Sequence, residues 1–103
     1  MKLIDPLEFR PDRAWAALEI AQIDGVTVRL HWTDRPYKWH VNDGAEVLVV
    51  LSGELDMHHR EGSKEGVARL KAGEIFYAAQ GDEHFASPIG EVRILVIERA
   101  GSV

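Results

Sequence analysis

The sequence predicts an all-β domain, and three observations carry that expectation. Val26, Val28, Leu30 and Trp32 alternate with Thr27, Arg29 and His31, the period-two pattern of a half-buried strand. Residues 46–51 read EVLVVL, a β-branched run of strand length. Strand-like pieces then recur about every 8–12 residues with turn chemistry between them, which is the spacing of a sandwich or barrel.

Residues 1–18 are the least regular part of the chain. Pro6 and Pro11 break the segment, and Pro11-Asp12-Arg13 leads into Ala14, Trp15, Ala16, Ala17 and Leu18. That pattern predicts an N-terminal extension with one short helical turn at 14–18. A single β domain is expected over 19–103. Its first clear strand is the alternating run at 26–32. The next, 46–51, is expected to close at Ser52-Gly53. Leu55 and Met57 then alternate with Glu54, Asp56 and His58, before the polar turn REGSKEG at 60–66. Further strands are expected at 67–70, 74–78 and 91–98, separated by Ala72-Gly73, Gly81-Asp82 and Pro88-Ile89-Gly90. No internal repeat, low-complexity tract or linker divides the chain.

Composition narrows the function. The 103 residues suit one domain, and an apolar share of 46% with 28% charged residues is that of a globular protein rather than a disordered one. The net charge of −5 argues against a nucleic-acid or anionic-membrane partner. With no cysteine there is no disulfide framework, thiolate zinc site, thiol nucleophile or iron–sulfur cluster, so any metal must be held by nitrogen and oxygen. The N-terminus has no apolar run of signal-peptide length, and no stretch approaches the ~18 apolar residues of a membrane helix. The expectation is a soluble cytoplasmic protein.

Five histidines are available, at 31, 40, 58, 59 and 84. His40 and Asn42 are two apart, so on an extended segment they share a face. Glu46 opens an apolar strand. If it shares the parity of Leu48 and Val50 it points into the core, where a carboxylate must be paired, hydrogen-bonded or metal-bound. His84 follows the polar turn Gln80-Gly81-Asp82-Glu83. His58 and His59 are expected on a solvated strand end, pointing to opposite faces, and His31 on the polar parity of its own strand.

Two spacings stand out. His40, one residue, Asn42, three residues, Glu46, six residues, Gly53 is the first; Gly73, five residues, Ala79, one residue, Gly81, two residues, His84 is the second. Together they resemble the paired signature motifs of the cupin superfamily, and residues 19–98 are similar in length and strand layout to a small single-domain cupin. Asn42 stands where the family usually has a second histidine, and Ala79 where it usually has proline. The resemblance implies a jelly-roll (double-stranded β-helix) barrel around one metal pocket. It also implies His40, Glu46 and His84 as ligands of a divalent transition metal: iron, zinc, manganese or nickel. Asn42 could ligate through its amide oxygen, hold a water, or only shape the Asn-Asp-Gly turn.

Two imidazoles and one carboxylate with open positions form the donor set of non-haem ferrous oxygenases. The first functional expectation is therefore a metal-dependent enzyme acting on a small organic molecule, with oxygen chemistry as its best-matched version. A second is a non-enzymatic module binding a small ligand or metal. A third is a metal-free isomerase or epimerase with His40 or His84 as base and Tyr77, the candidate catalytic hydroxyl, as acid. Trp32, Tyr37, Trp39, Phe76, Tyr77 and Phe85 are expected mostly in the core, with one or two at a pocket mouth; Trp39, next to His40, is expected to point away from the site.

The strands at 46–51 and 92–97 are apolar on both parities. One barrel interior covers only one face of each, so the sequence also predicts a homodimer burying the other.

Overall fold

The computed structural model describes residues 1–102. Seven strands, all paired antiparallel, make up most of the chain: β1 (Ala16–Ile23), β2 (Val26–Thr33), β3 (His40–Val41), β4 (Glu46–Glu61), β5 (Lys64–Lys71), β6 (Ile75–Ala78) and β7 (Glu83–Arg99). The strand order is β1-β2-β7-β4-β5, with β3 paired to β7 and β6 to β4. β4 and β7 are long enough to contribute to both walls, and they pair with each other along most of their length.

What lets β4 bend between the walls is an irregularity at its centre. The β4–β7 register shifts between Val50 and Ser52 and again between Ser52 and Glu54. Gly53 sits there at φ 81°, and a Cβ on it would stand 2.2 Å from the Glu91 carbonyl oxygen. Ser52-Gly53 is thus a bulge inside one long strand, not the turn the sequence suggested. Pro88-Ile89-Gly90 is likewise inside β7 rather than between strands. Leu48, Val50, Leu55, Met57, Leu70, Ala86, Val92, Ile94 and Val96 fill the barrel and form its core cluster.

The helical turn expected at 14–18 is not there. The only helical turn among the described residues is Pro6–Glu8, where the Asp5 side chain accepts from the Leu7 amide at 3.0 Å. Trp15, at φ 64°, turns the chain into β1, and Ala16, Ala17 and Leu18 pair with Trp32, His31 and Leu30. Backbone pairing along the open edge of β2 outweighs the helical preference of three short alanine-rich positions.

The N-terminal segment returns across the outside of the barrel. Arg93, a buried cation, donates from Nε to the Phe9 carbonyl at 2.9 Å, Arg10 pairs with Glu91 at 2.7 Å, and the Arg10 guanidinium lies over the Trp32 ring. Leu30 and Trp32 are buried, yet neither belongs to the core cluster. The apolar parity of β2 therefore faces outward, and its polar parity faces in. Uncovered apolar side chains remain on the outer face, among them Ile75 and Tyr77, exposed by 65% and 62%. No helix among the described residues is long and apolar enough to cross a membrane.

Candidate metal centre

Three strands bring the site together. His40 opens β3 and stands opposite His84 of β7, while Glu46 opens β4 with Ala78 of β6 and Glu98 of β7 on either side. Asn42 follows β3 and is clamped by its backbone: its amide donates to the Asp82 carbonyl at 2.9 Å, and its carbonyl accepts from Gly81 at 2.8 Å. Gly81, at φ 91°, occupies the left-handed region that this turn needs. The two spaced motifs of the sequence are thus joined by main-chain bonds around one point.

Ligand atoms of His40, Glu46 and His84 all lie within 4.8 Å of one another. His84 is 3% exposed, Glu46 8%, and Asn42 is buried as well. His84 Nε2 donates to Asn42 Oδ1 at 2.7 Å, and the Asn42 amide nitrogen, turned the other way, reaches the Ala78 carbonyl at 3.5 Å. Glu46 Oε1 lies 3.3 Å from the same His84 nitrogen. That nitrogen carries one hydrogen, and Asn42 takes it, so Glu46 Oε1 is buried with no donor. His40 Nδ1 faces the Lys38 carbonyl at 3.3 Å, which as a donor would leave its other nitrogen as a bare lone pair.

Electrostatics separate the groups. Burial pushes the Glu46 carboxyl up, but contacts with His84 and Glu98 and the nearby imidazoles bring it below its ordinary value. Burial holds His40 below its ordinary value, with the neighbouring His84 adding to the effect. Glu98, partly buried and beside Glu46, is pushed up to about 8 by burial and by that neighbouring carboxylate.

The site opens onto a cavity of about 230 Å³. Its apolar wall includes Leu48, Met57 and Val96, and its mouth includes Trp15 and Tyr37. Trp39 packs outward on Phe85 and under Arg60, away from the cavity as expected. His58 stacks on Phe85 at 4.3 Å, outside the cluster. His59 packs against Gly66 and borders a second groove, which His84 also lines.

Tyr77 does not line this cavity and instead borders the second groove beside His84. It pairs with Val47 on the outer parity of β6, while its neighbour Phe76 turns inward toward His84. The tyrosine of the cavity is Tyr37, whose ring lies 5.4 Å from that of His40. His31 stands on the polar parity of its strand, and it lines the cavity with Arg29 because β2 presents that parity inward. Burial holds His31 below its ordinary value, and its Nδ1 lies 3.4 Å from the Trp15 carbonyl. Glu98 also lines the cavity. Its signal was available: a carboxylate on the same parity as Val92, Ile94 and Val96.

The sequence matches no known family model. It matches no curated protein. Among solved structures, a cupin-2 domain-containing protein from Shewanella frigidimarina superposes with a TM-score of 0.76 at 27% identity, over 85% of this chain and 83% of that one. A cupin superfamily protein from Desulfitobacterium hafniense superposes at 0.77 with 17% identity, over 96% and 92%. The chain is a small cupin-fold domain. An enzyme shares the fold as well: hydroquinone 1,2-dioxygenase, solved with Cd2+ and 4-hydroxybenzonitrile, superposes at 0.74 with 15% identity over 87% of this chain and 67% of its own. In this cupin-fold barrel the His/Glu/His group lies at the point where β3, β4 and β7 meet.

Proposed function

We propose that this cupin holds a divalent transition metal on His40, Glu46 and His84, with the Asn42 amide oxygen as fourth donor, and receives a small organic molecule in the adjoining cavity. The observation that carries the reading is Glu46 Oε1, a buried carboxylate oxygen without a donor, facing two imidazoles. Burying a carboxylate oxygen with no donor is costly, and a cation supplies its missing partner. Two imidazoles and oxygen donors without thiolate fit iron, manganese, zinc or nickel. When bound, such a metal supplies Lewis-acid polarisation and, if it is ferrous iron, activation of oxygen.

The remaining tasks fall to the chain itself. Leu48, Met57 and Val96 exclude water from one wall of the cavity. The Lys38 carbonyl orients the His40 ring, and the Ala78 carbonyl keeps Asn42 Oδ1 turned toward His84. A metal-free acid–base pair with Tyr77 is the less favoured reading, because Tyr77 does not line the cavity and is 62% exposed. The dioxygenase that shares the fold, solved with Cd2+, supports oxygen chemistry on a small molecule as the preferred version.

Elemental analysis of untagged protein tests the reading. About one metal per chain is expected, lost in His84→Ala and kept in His58→Ala. Equal loss in both variants, or a wild-type protein that takes up no metal on incubation with iron, manganese, zinc and nickel salts, would contradict it.

A further inference from the structure

The inward face of β2 has work that the metal ligands do not explain. Its row is Thr27, Arg29, His31 and Thr33. Thr27 and Thr33 are satisfied by the main-chain carbonyls of Glu98 and Arg35, at 3.1 and 3.0 Å. Arg29 and His31 line the cavity, and among the described residues Arg29 is the only lysine or arginine that does so.

Arg29 is in register with Val96 of β7, and Val96 with Leu48 of β4. It therefore stands two strand spacings, roughly 10 Å, from the strand that carries Glu46. The wall between them is apolar. One carboxylate lies near the guanidinium, and two more line the cavity. Glu19 of β1 lies 3.7 Å away, beyond hydrogen-bond distance and with both side chains partly exposed, while Glu98 of β7 and Glu46 of β4 line the same cavity. An exposed pair of that geometry contributes little and leaves the fork of Arg29 free to exchange partners.

We infer that the cavity takes a small amphiphilic carboxylic acid: its carboxylate on Arg29, its apolar body against Val96, Leu48 and Met57, and its far end toward His40, Glu46 and His84. The inference rests on the cavity being the ligand site proposed above, and it adds the substrate class. A planar carboxylate matches the guanidinium fork. A monoanion fits better than a phosphate, because Glu19, 3.7 Å from the guanidinium, opposes a second negative charge. The volume, about 230 Å³, is below the roughly 300–1,000 Å³ of pockets for drug-sized ligands, so the acid is small.

The test compares benzoate, its neutral isostere benzamide and phenylphosphonate, titrated calorimetrically into the metal-loaded full chain and its Arg29→Gln and Arg29→Lys variants. Benzoate is expected to bind at least about tenfold more tightly than benzamide or phenylphosphonate. Arg29→Gln should abolish that preference, and Arg29→Lys should keep part of it. The inference is overturned by undetectable benzoate binding, by a stronger phosphonate, or by a preference that survives Arg29→Gln, which would place the carboxylate on the metal. Metal content of the same samples reports separately on the metal centre: an unmetallated chain whose benzoate preference still depends on Arg29 supports this inference and refutes the metal reading.

Discussion

His84 Nε2 donates to Asn42 Oδ1 at 2.7 Å, so the residue that departs from the family's histidine still directs an oxygen at the shared point. The Ala78 carbonyl fixes which way the amide faces. Asn42 is accordingly expected to act as a ligand and not only as a turn residue. Asn42→Ala should weaken metal binding by about tenfold or more, and Asn42→His should tighten it, because imidazole is the better donor for divalent transition metals. Competition with a chromophoric chelator measures both. Unchanged affinity in Asn42→Ala would leave the residue a turn former.

Glu98 gives the metal-free protein a pH signature. Its carboxyl is held up at about 8 against an ordinary 4.5, so folding favours the protonated form. The resulting stability is complete below about 4.5 and is lost as pH rises toward about 8. His31 and His40, held below 6.5, work the other way up to that pH, and Glu46 titrates below the window. The clean observable is the difference between wild type and Glu98→Gln after chelation. In urea unfolding, the variant should gain on wild type steadily from pH 4.5 to 8. A constant difference across that range would contradict the assignment.

The bulge in β4 predicts a sharp contrast between two glycines. At Gly53 both the positive φ and the contact with the Glu91 carbonyl oppose a side chain, whereas Gly73, at φ 91°, has open space around it. Gly53→Ala is expected to cost more than about 2 kcal/mol in urea unfolding, and Gly73→Ala about 1 kcal/mol. Equal costs would mean that β4 can relax at its bend.

The outer face predicts self-association. Leu95 and Ile97 are only half-covered there, Ile75 and Tyr77 are exposed, and the N-terminal segment reaches Trp32 and Arg93 at one end. A second copy covering the rest should give twice the mass of one chain in light scattering at micromolar concentration, and Tyr77→Glu should dissociate it. A single-chain mass for wild type would show that the N-terminal segment is cover enough.

Much of this was legible in the residues, and the failures share a cause. Period-two alternation located β2 and the second half of β4, the β-branched run at 46–51 located its first half, and the two motif spacings located His40, Glu46 and His84. Parity misled at β2, where inward usually means apolar. Here the cavity takes Arg29 and His31 beside its apolar wall, while Leu30 and Trp32 are buried on the outer face, Trp32 beneath Arg10 of the N-terminal segment. The turn signals at Ser52-Gly53 and Pro88-Ile89-Gly90 misled for a related reason, since a strand that serves both walls needs glycine at its bend as much as a loop does. Tyr77 and Phe76 are adjacent, and only pairing of β6 with β4 decides which of them faces in.

The central claim is that one metal sits between His40, Glu46 and His84. Anomalous diffraction from a crystal of the protein grown with manganese or iron, recorded at the metal's absorption edge, tests it most directly. One strong peak is expected there, about 2.0–2.2 Å from a nitrogen of each histidine and from a Glu46 oxygen. A peak at His58 or His59, or none between the three residues, would contradict the account.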